Sequence, residues 1–281
     1  MVSTEKTVAN EVQKETKEKR PLKLEDILLN RYFLNFVSLI IFFTVWDVIA
    51  AKGLFGMPRI MDVLKTLTKL SYDPLAGNTL WGHIGISLLR VFIGFLIAVV
   101  IGVPLGLLMA VNPYINKIVK PIFDLLKPMP PIAWIPIAIL WFGVGETSKI
   151  FLITIGAVIP CIINSYNGIR LVDPELYDVI RMLGGTRRQM AWEVTFPAAF
   201  PAIFGGIQLS LSFAWTCVVA AELVSARSGM GFIIILGMQM CRPEMIVGGM
   251  VVIALIAWLI SVSLTKLEKK VCPWKREIEG L

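Results

Sequence analysis

Apolar residues in this chain come in long blocks rather than in short alternating runs. Six segments, about 33–51, 84–111, 118–142, 150–166, 203–224 and 245–265, are each long enough to cross a bilayer. A hydrocarbon core of about 30 Å needs roughly 20 apolar residues as helix, because lipid offers no partner for backbone N–H and C=O groups. The pattern predicts an all-α membrane protein with six transmembrane helices, and an even count puts both termini on one side. Residues 1–31 carry "KETKEKR" and no apolar run, and read as a polar tail ahead of an anchoring span rather than as a secretory signal. Residues 32–270 then form the membrane domain, and residues 271–281 a second tail.

Three stretches depart from plain spans. The third contains "PIFDLLKPMPPIAWIP", with Pro121, Pro128, Pro130, Pro131 and Pro136. Each proline removes a donor and crowds the preceding turn, so no straight helix runs through it. Broken backbone at membrane depth is either buried in the bundle or lines a polar cavity. The run "SGMGFIIILGM", Ser228 to Met238, is too short to cross and predicts a short re-entrant or surface helix. In the second span, Gly102-x-x-x-Gly106 marks a face for close helix packing.

The third departure is "DPELYDVIRMLGGTRRQMAWEVTFP", Asp173 to Pro197, amphipathic and charged between two apolar blocks. Asp173 as N-cap, Pro174 at the first helical position and Glu175 in the first turn open a helix. Leu176, Val179, Ile180 and Leu183 give it one apolar face. Gly184-Gly185 ends it. Thr186 and Gln189 fit a capping box for a second helix, which Pro197 is expected to stop. Helices this short need something to pack against. Periodicity leaves two options open: a membrane or bundle surface, or a groove on a partner with Asp178, Arg187, Arg188 and Glu193 setting the register.

Composition agrees with the membrane reading. At 281 residues, 56% hydrophobic and 17% charged, with mean hydropathy +0.75, the chain is neither a typical soluble domain nor disordered. The net charge of +7 is unevenly spread. Seven Lys/Arg precede Tyr32, two follow the second span, four lie in 167–202 and five follow the sixth span. The opposite face carries four between the first two spans, then Lys149, Arg227 and Arg242. Basic residues stay inside, so both termini and the hairpin are expected to be cytoplasmic, with no role for nucleic acid.

Candidate chemistry is sparse. The four cysteines form no CxxC pair, and His83 is the only histidine, so a disulfide framework and a histidine-based metal site are not indicated. Neither GxxxxGK[ST] nor GxSxG occurs. The expectation is no catalytic residue, no metal and no cofactor in this chain. Ionisable residues at membrane depth are the pathway candidates: Arg90, Lys127 and Glu222, with Asp47 near the end of the first span. Met129, Pro130, Trp134 and Trp215 join them as possible lining. The alternative for each charge is a buried ion pair or a side chain snorkelling to the interface, and Arg90 with Asp47 or Glu222 would make such a pair.

The hairpin resembles the EAA loop of bacterial ATP-binding cassette importer permeases, in which Glu-Ala-Ala is followed after three residues by Gly and after nine more by Ile-x-Leu-Pro. Here Asp178-Val179-Ile180 stands in the triplet's place, Gly184 is the glycine, and Val194, Phe196 and Pro197 close the pattern. "LLRVFIGFLIAVVIGVPLGLLMA", "PIFDLLKPMPPIAWIPIAILWFGVGETSKI" and "VVAAELVSARSGMGFIIILG" are similar to the nitrate, bicarbonate, taurine and alkanesulfonate branch of that family. The resemblance implies the type I importer permease fold, in a bacterial inner membrane. It implies a second permease copy, most simply a homodimer, two cytosolic ATPase subunits that hold the ATP and Mg, and an extracytoplasmic solute-binding protein. The segment 167–201 would be the coupling loop, with Leu176, Asp178, Val179, Ile180, Leu183, Gly184, Arg187 and Arg188 meeting the ATPase. The solute would be a small anion, taurine or an alkanesulfonate first, nitrate or bicarbonate next. A self-sufficient secondary transporter or channel is the competing class, although no inverted repeat is visible.

Overall fold

A computed structural model of the chain describes residues 31–53 and 56–274. Most of the tails expected over 1–31 and 271–281 therefore lies outside the described residues. The chain divides into two compact units, residues 1–60 and 61–281, each described by itself. In the first, α1 (Arg31–Ala51) is apolar along its length. Phe42, Phe43 and Trp46 pack ring to ring, and the Trp46 indole donates to the Pro58 carbonyl at 3.1 Å.

The second unit contains α2 (Ile60–Tyr72, which begins at the boundary), α3 (Leu80–Val111), α4 (Pro113–Leu126), a 3-10 turn Pro131–Trp134 leading into α5 (Ile135–Phe142), and α6 (Glu146–Arg170). After α6 come α7 (Pro174–Met182), the single turn α8 (Arg187–Gln189), a π-helical segment Met190–Thr195, α9 (Phe196–Ser225), α10 (Met230–Gln239) and α11 (Pro243–Val271). Among the described residues the only strand-like pairing is the bridge Leu75–Asn78. Among the described residues, five helices are long and apolar enough to cross a membrane, and α4 with the Pro131–Phe142 segment makes a sixth crossing if the bent pair is one span.

Close packing of α3, α6 and α9 builds the core. In lipid, helices gain little from hiding apolar surface, so association rests on backbone approach and van der Waals contact. Gly94, Gly102 and Gly106 supply that approach. A Cβ at these positions would stand 2.6 Å from Ile153, 2.7 Å from Cys161 and 2.6 Å from the Ile162 carbonyl. The contacts advance together along both chains, so α3 and α6 are parallel. Across α6, Gly156 faces Cys217 while Gly206 faces Asn164, so α9 runs antiparallel. Val91, Ala98, Ile153, Ala157, Ala214 and Val218 fill the seam. The packing expected of Gly102 and Gly106 is thus present, as one part of a longer small-residue face.

The third span is broken, as its prolines require. Asn112 caps α4 by accepting from the Tyr114 and Ile115 amides, and the chain then turns through 91° between α4 and the following helical pair. Residues Lys127 to Pro130 form the exposed elbow.

Two features differ from the sequence expectation. Pro197 does not stop the second hairpin helix: Arg187 to Ser225 is one continuous helical stretch. The π-helical turn just before Pro197 supplies the reason, since its wider spacing accommodates a residue that clashes with the preceding α-turn and lacks a donor. α2 has no counterpart in the block pattern. Its Val63, Leu67 and Leu70 form a narrow apolar stripe that packs toward Gly248 and the base of α3. The short helix expected near Ser228 is present as α10, buried through Met230 and Ile233. At the C-terminal end α11 runs to Val271, Cys272 is buried and Trp274 is hydrogen-bonded.

Candidate functional site

The hairpin sits where α6 ends and is built from local signals. Asp173 Oδ1 accepts the Glu175 amide at 3.0 Å, and Pro174 opens α7. At the other end Gly184, at φ +73°, turns the chain left-handed. The Gly185 amide donates to the Ile180 carbonyl at 2.9 Å and the Gly184 amide to Arg181 at 3.1 Å, the paired bonds of a Schellman cap. Gly185 is required for space, since a Cβ would lie 2.5 Å from Ile180 Cγ2. The Gln189 amide then donates to Thr186 Oγ1, and the Thr186 amide to Gln189 Oε1 at 2.9 Å, the expected capping box. The Thr195 hydroxyl donates to the Met190 carbonyl at 3.0 Å, five residues back, and so closes the widened turn.

One face of α7 is seated on the bundle. Tyr177 packs with Ile169, Val172, Ala199 and Ile203, and its hydroxyl lies 3.4 Å from that of Thr195. The other face is bare. Leu176 and Val179 are exposed, Met182 is 85% and Leu183 81% exposed, and Trp192 stands exposed beside them, stacked on Phe196. Ile180 alone of the predicted stripe is half-buried. Asp178 pairs with Arg181 on the surface at 3.3 Å, and Arg187 and Arg188 are exposed. The Trp274 indole donates to the Pro197 carbonyl at 3.2 Å, replacing the helical donor that Pro201 lacks. It thereby ties the end of α11 to the root of α9. Tyr177, Trp192, Thr195 and Trp274 are not visible in an apolar periodicity; a bulky aromatic next to the cap was the available signal.

At the opposite end of the bundle lies a buried charge cluster. Arg90 is 2% and Glu222 1% exposed. All five guanidinium N–H donors are placed: Nε and Nη2 on Glu146 at 2.5 and 2.7 Å, Nη1 on Glu222 at 2.6 Å and on the Ser228 carbonyl at 2.8 Å, and Nη2 also on Ser228 Oγ. Lys149 adds a second cation to Glu146 at 2.9 Å. Ser87 donates to Glu222 and accepts the Met230 amide, while Glu222 also accepts the Gly231 amide, both at 2.8 Å. His83 Nδ1 accepts the Gly229 amide, so Nε2 donates to the Leu75 carbonyl. Two cations face two carboxylates, Glu222 buried and Glu146 half exposed, and the guanidinium has all its donors placed, which is the condition under which burial of its charge is tolerated. Of the options open for Arg90 and Glu222, the structure places them in an ion pair with each other, joined by Glu146; Asp47 belongs to the other unit.

The remaining pathway candidates gather at the elbow. Lys127 pairs with Asp124 at 2.7 Å, Met129 and Pro130 are exposed, and Trp134 is half-buried. Trp215 is instead in the core, its indole N–H without an acceptor among the described residues. The candidates thus fall in three places, the charge cluster, the elbow and the core, not in one constellation.

Residues 102–275 match the model of the family described as the binding-protein-dependent transport system inner membrane component. The chain belongs to this family. This ABC importer permease is 33% identical over 264 residues to the taurine transport system permease protein TauC of Escherichia coli, covering 92% of this chain and 96% of that one. It is 33% identical over 281 residues to the putative aliphatic sulfonates transport permease protein SsuC of Bacillus subtilis (99% and 97%). With the nitrate import permease protein NrtB of a Synechocystis species it shares 33% over 203 residues (70% and 74%). The permease has the type I importer fold: an inward-facing structure of the MetNI methionine ABC transporter aligns at TM-score 0.55 and 22% identity, covering 66% of this chain and 92% of that one. An amino acid ABC transporter structure aligns at TM-score 0.56 and 17% identity, covering 74% and 98%.

Proposed function

We propose that this permease forms the membrane pathway of an ATP-driven importer for a small anion, an alkanesulfonate such as taurine first and nitrate or bicarbonate next. The carrying observation is the bare apolar face of α7, held on a hairpin capped at both ends. Met182 and Leu183 project from a capped turn and are left uncovered by the described residues, as expected of one half of a helix-in-groove contact. In this reading the groove belongs to a cytosolic ATPase subunit, two of which serve a pair of permease copies and carry the ATP and Mg. An extracytoplasmic binding protein delivers the solute. Termini and hairpin face the cytoplasm, in keeping with the concentration of Lys and Arg at that end. This chain supplies no bond-breaking chemistry. Closure of the ATPases displaces α7, and Tyr177, Thr195 and the π-helical turn pass the displacement into α9.

The sulfonate assignment draws on the named relatives and on their cover of nearly the whole chain. The test is uptake by proteoliposomes holding the permease, its ATPase and its binding protein. Wild type takes up taurine only with ATP inside, and Arg187→Glu hydrolyses ATP without matching uptake. Full-rate uptake by the permease alone would overturn the reading in favour of a self-sufficient transporter.

A further inference from the structure

Between α3, α4 and α6, at the hairpin end, the bundle holds a cleft of about 160 Å³. Met109, Phe123 and Ile162 give it apolar walls, and Lys120, Asp124, Lys127, Tyr166 and Asn167 its polar mouth. The mouth is rich in donors and poor in free acceptors. Both Asp124 oxygens are engaged, Oδ2 by Lys120 and Oδ1 by Lys127, each at 2.7 Å. Each ammonium carries three donors and spends one there. The Tyr166 hydroxyl accepts from Arg170 Nη1 at 2.7 Å and from Asn116 Nδ2 at 3.3 Å. Its two lone pairs are therefore used, and its proton remains to be donated. Two lysines, with Arg170 behind Tyr166, outweigh the one carboxylate.

We infer that this cleft binds a small oxyanion carrying a short apolar stem: the head between Lys120, Lys127 and the Tyr166 hydroxyl, the stem along Met109, Phe123 and Ile162. The volume suits a ligand of a few heavy atoms, well below the usual drug-sized pocket of roughly 300–1,000 Å³. Asp124 acts as a built-in competitor, neutralising the two ammonium groups until an anion takes them. Two sources offer this chemistry, a solute leaving on the cytoplasmic side and the headgroup of an anionic lipid. The first rests on the import function proposed above; the second does not.

The permease–ATPase complex in phosphatidylcholine nanodiscs, without binding protein, is titrated with 1-butanesulfonate by calorimetry at low salt. A parallel sample with phosphatidylglycerol is examined by native mass spectrometry for retained lipid. If solute is the ligand, butanesulfonate binds wild type, binds at least tenfold more weakly to Lys120→Gln/Lys127→Gln, and binds several-fold more tightly to Asp124→Asn. If lipid is the ligand, phosphatidylglycerol retention follows the same order and butanesulfonate does not compete. A gain in Asp124→Asn is not a result that misfolding produces. Equal binding of both probes to wild type and the double-lysine variant overturns the site. The import function fails on a different reading, the loss of ATP dependence in wild-type uptake.

Discussion

The two ends of the bundle solve opposite problems. At the charge cluster, Glu146, Glu222 and Ser228 leave no donor on the Arg90 guanidinium unspent, while Ser87, His83 and Glu222 hold the amides of the segment leading into α10. At the hairpin the backbone is as carefully satisfied, by an N-cap, a Schellman cap and a capping box, yet Leu176, Val179, Met182 and Leu183 stay bare. The first end is complete within one chain. The second is a capped mount whose apolar face has no cover among the described residues, the asymmetry on which the proposed interface rests.

The largest effect tests the joint. Arg90→Ala leaves Glu222 buried without its cation and is expected to cost about 3–5 kcal/mol, seen as a lowered melting temperature in detergent. The pair Arg90→Met with Glu222→Gln loses less than the sum of the singles, because no uncompensated charge remains. At the hairpin the balance inverts. Met182→Asp with Leu183→Asp leaves melting within about 0.5 kcal/mol of wild type, as for exposed positions generally. Retention of the ATPase on the purified permease drops by about 2 kcal/mol, or some thirtyfold in affinity. Gly184→Val imposes left-handed backbone on a branched residue at about 1–2 kcal/mol, read as faster amide exchange over 180–186, whereas Gly184→Asn stays close to wild type. Smallest is Thr195→Val, which removes the bond closing the π-helical turn at about 1 kcal/mol. Here the readout is solute moved per ATP, expected to fall while binding of the ATPase is unchanged.

Legibility followed the range of the interactions. Asp173, Gly184, Thr186 and Gln189 announce their roles within four residues, so both caps were readable from spacing alone. The proline-broken span was readable for the same reason. The run through Pro197 was not, because a π-helical turn has no apolar period of its own and reveals itself only in the Thr195 to Met190 bond. Glu146 joins Arg90 from 56 residues away, so no spacing rule connects them; the sequence offered Glu222, which does pair with Arg90, and Asp47, which belongs to the other unit. α2 escaped because, at 13 residues with Lys65 and Lys69 on the face opposite its apolar stripe, it is neither long nor apolar enough to appear among bilayer-length blocks. Exposure of the α7 stripe, which decides between a surface helix seated on its own bundle and a docking one, is a property of the assembled chain and cannot be read from periodicity.

The central claim, that the bare face of α7 is where an ATPase subunit grips this permease, is tested most directly by placing a photo-crosslinker at Met182→Cys and at Tyr72→Cys. Both variants are made in a Cys241→Ser background, since Cys241 is the exposed native thiol among the described residues. The account predicts an ATPase adduct from position 182, none from the equally exposed position 72, and loss of the former when Leu183→Asp is added. An ATPase that remains bound and coupled while position 182 yields no adduct would contradict it.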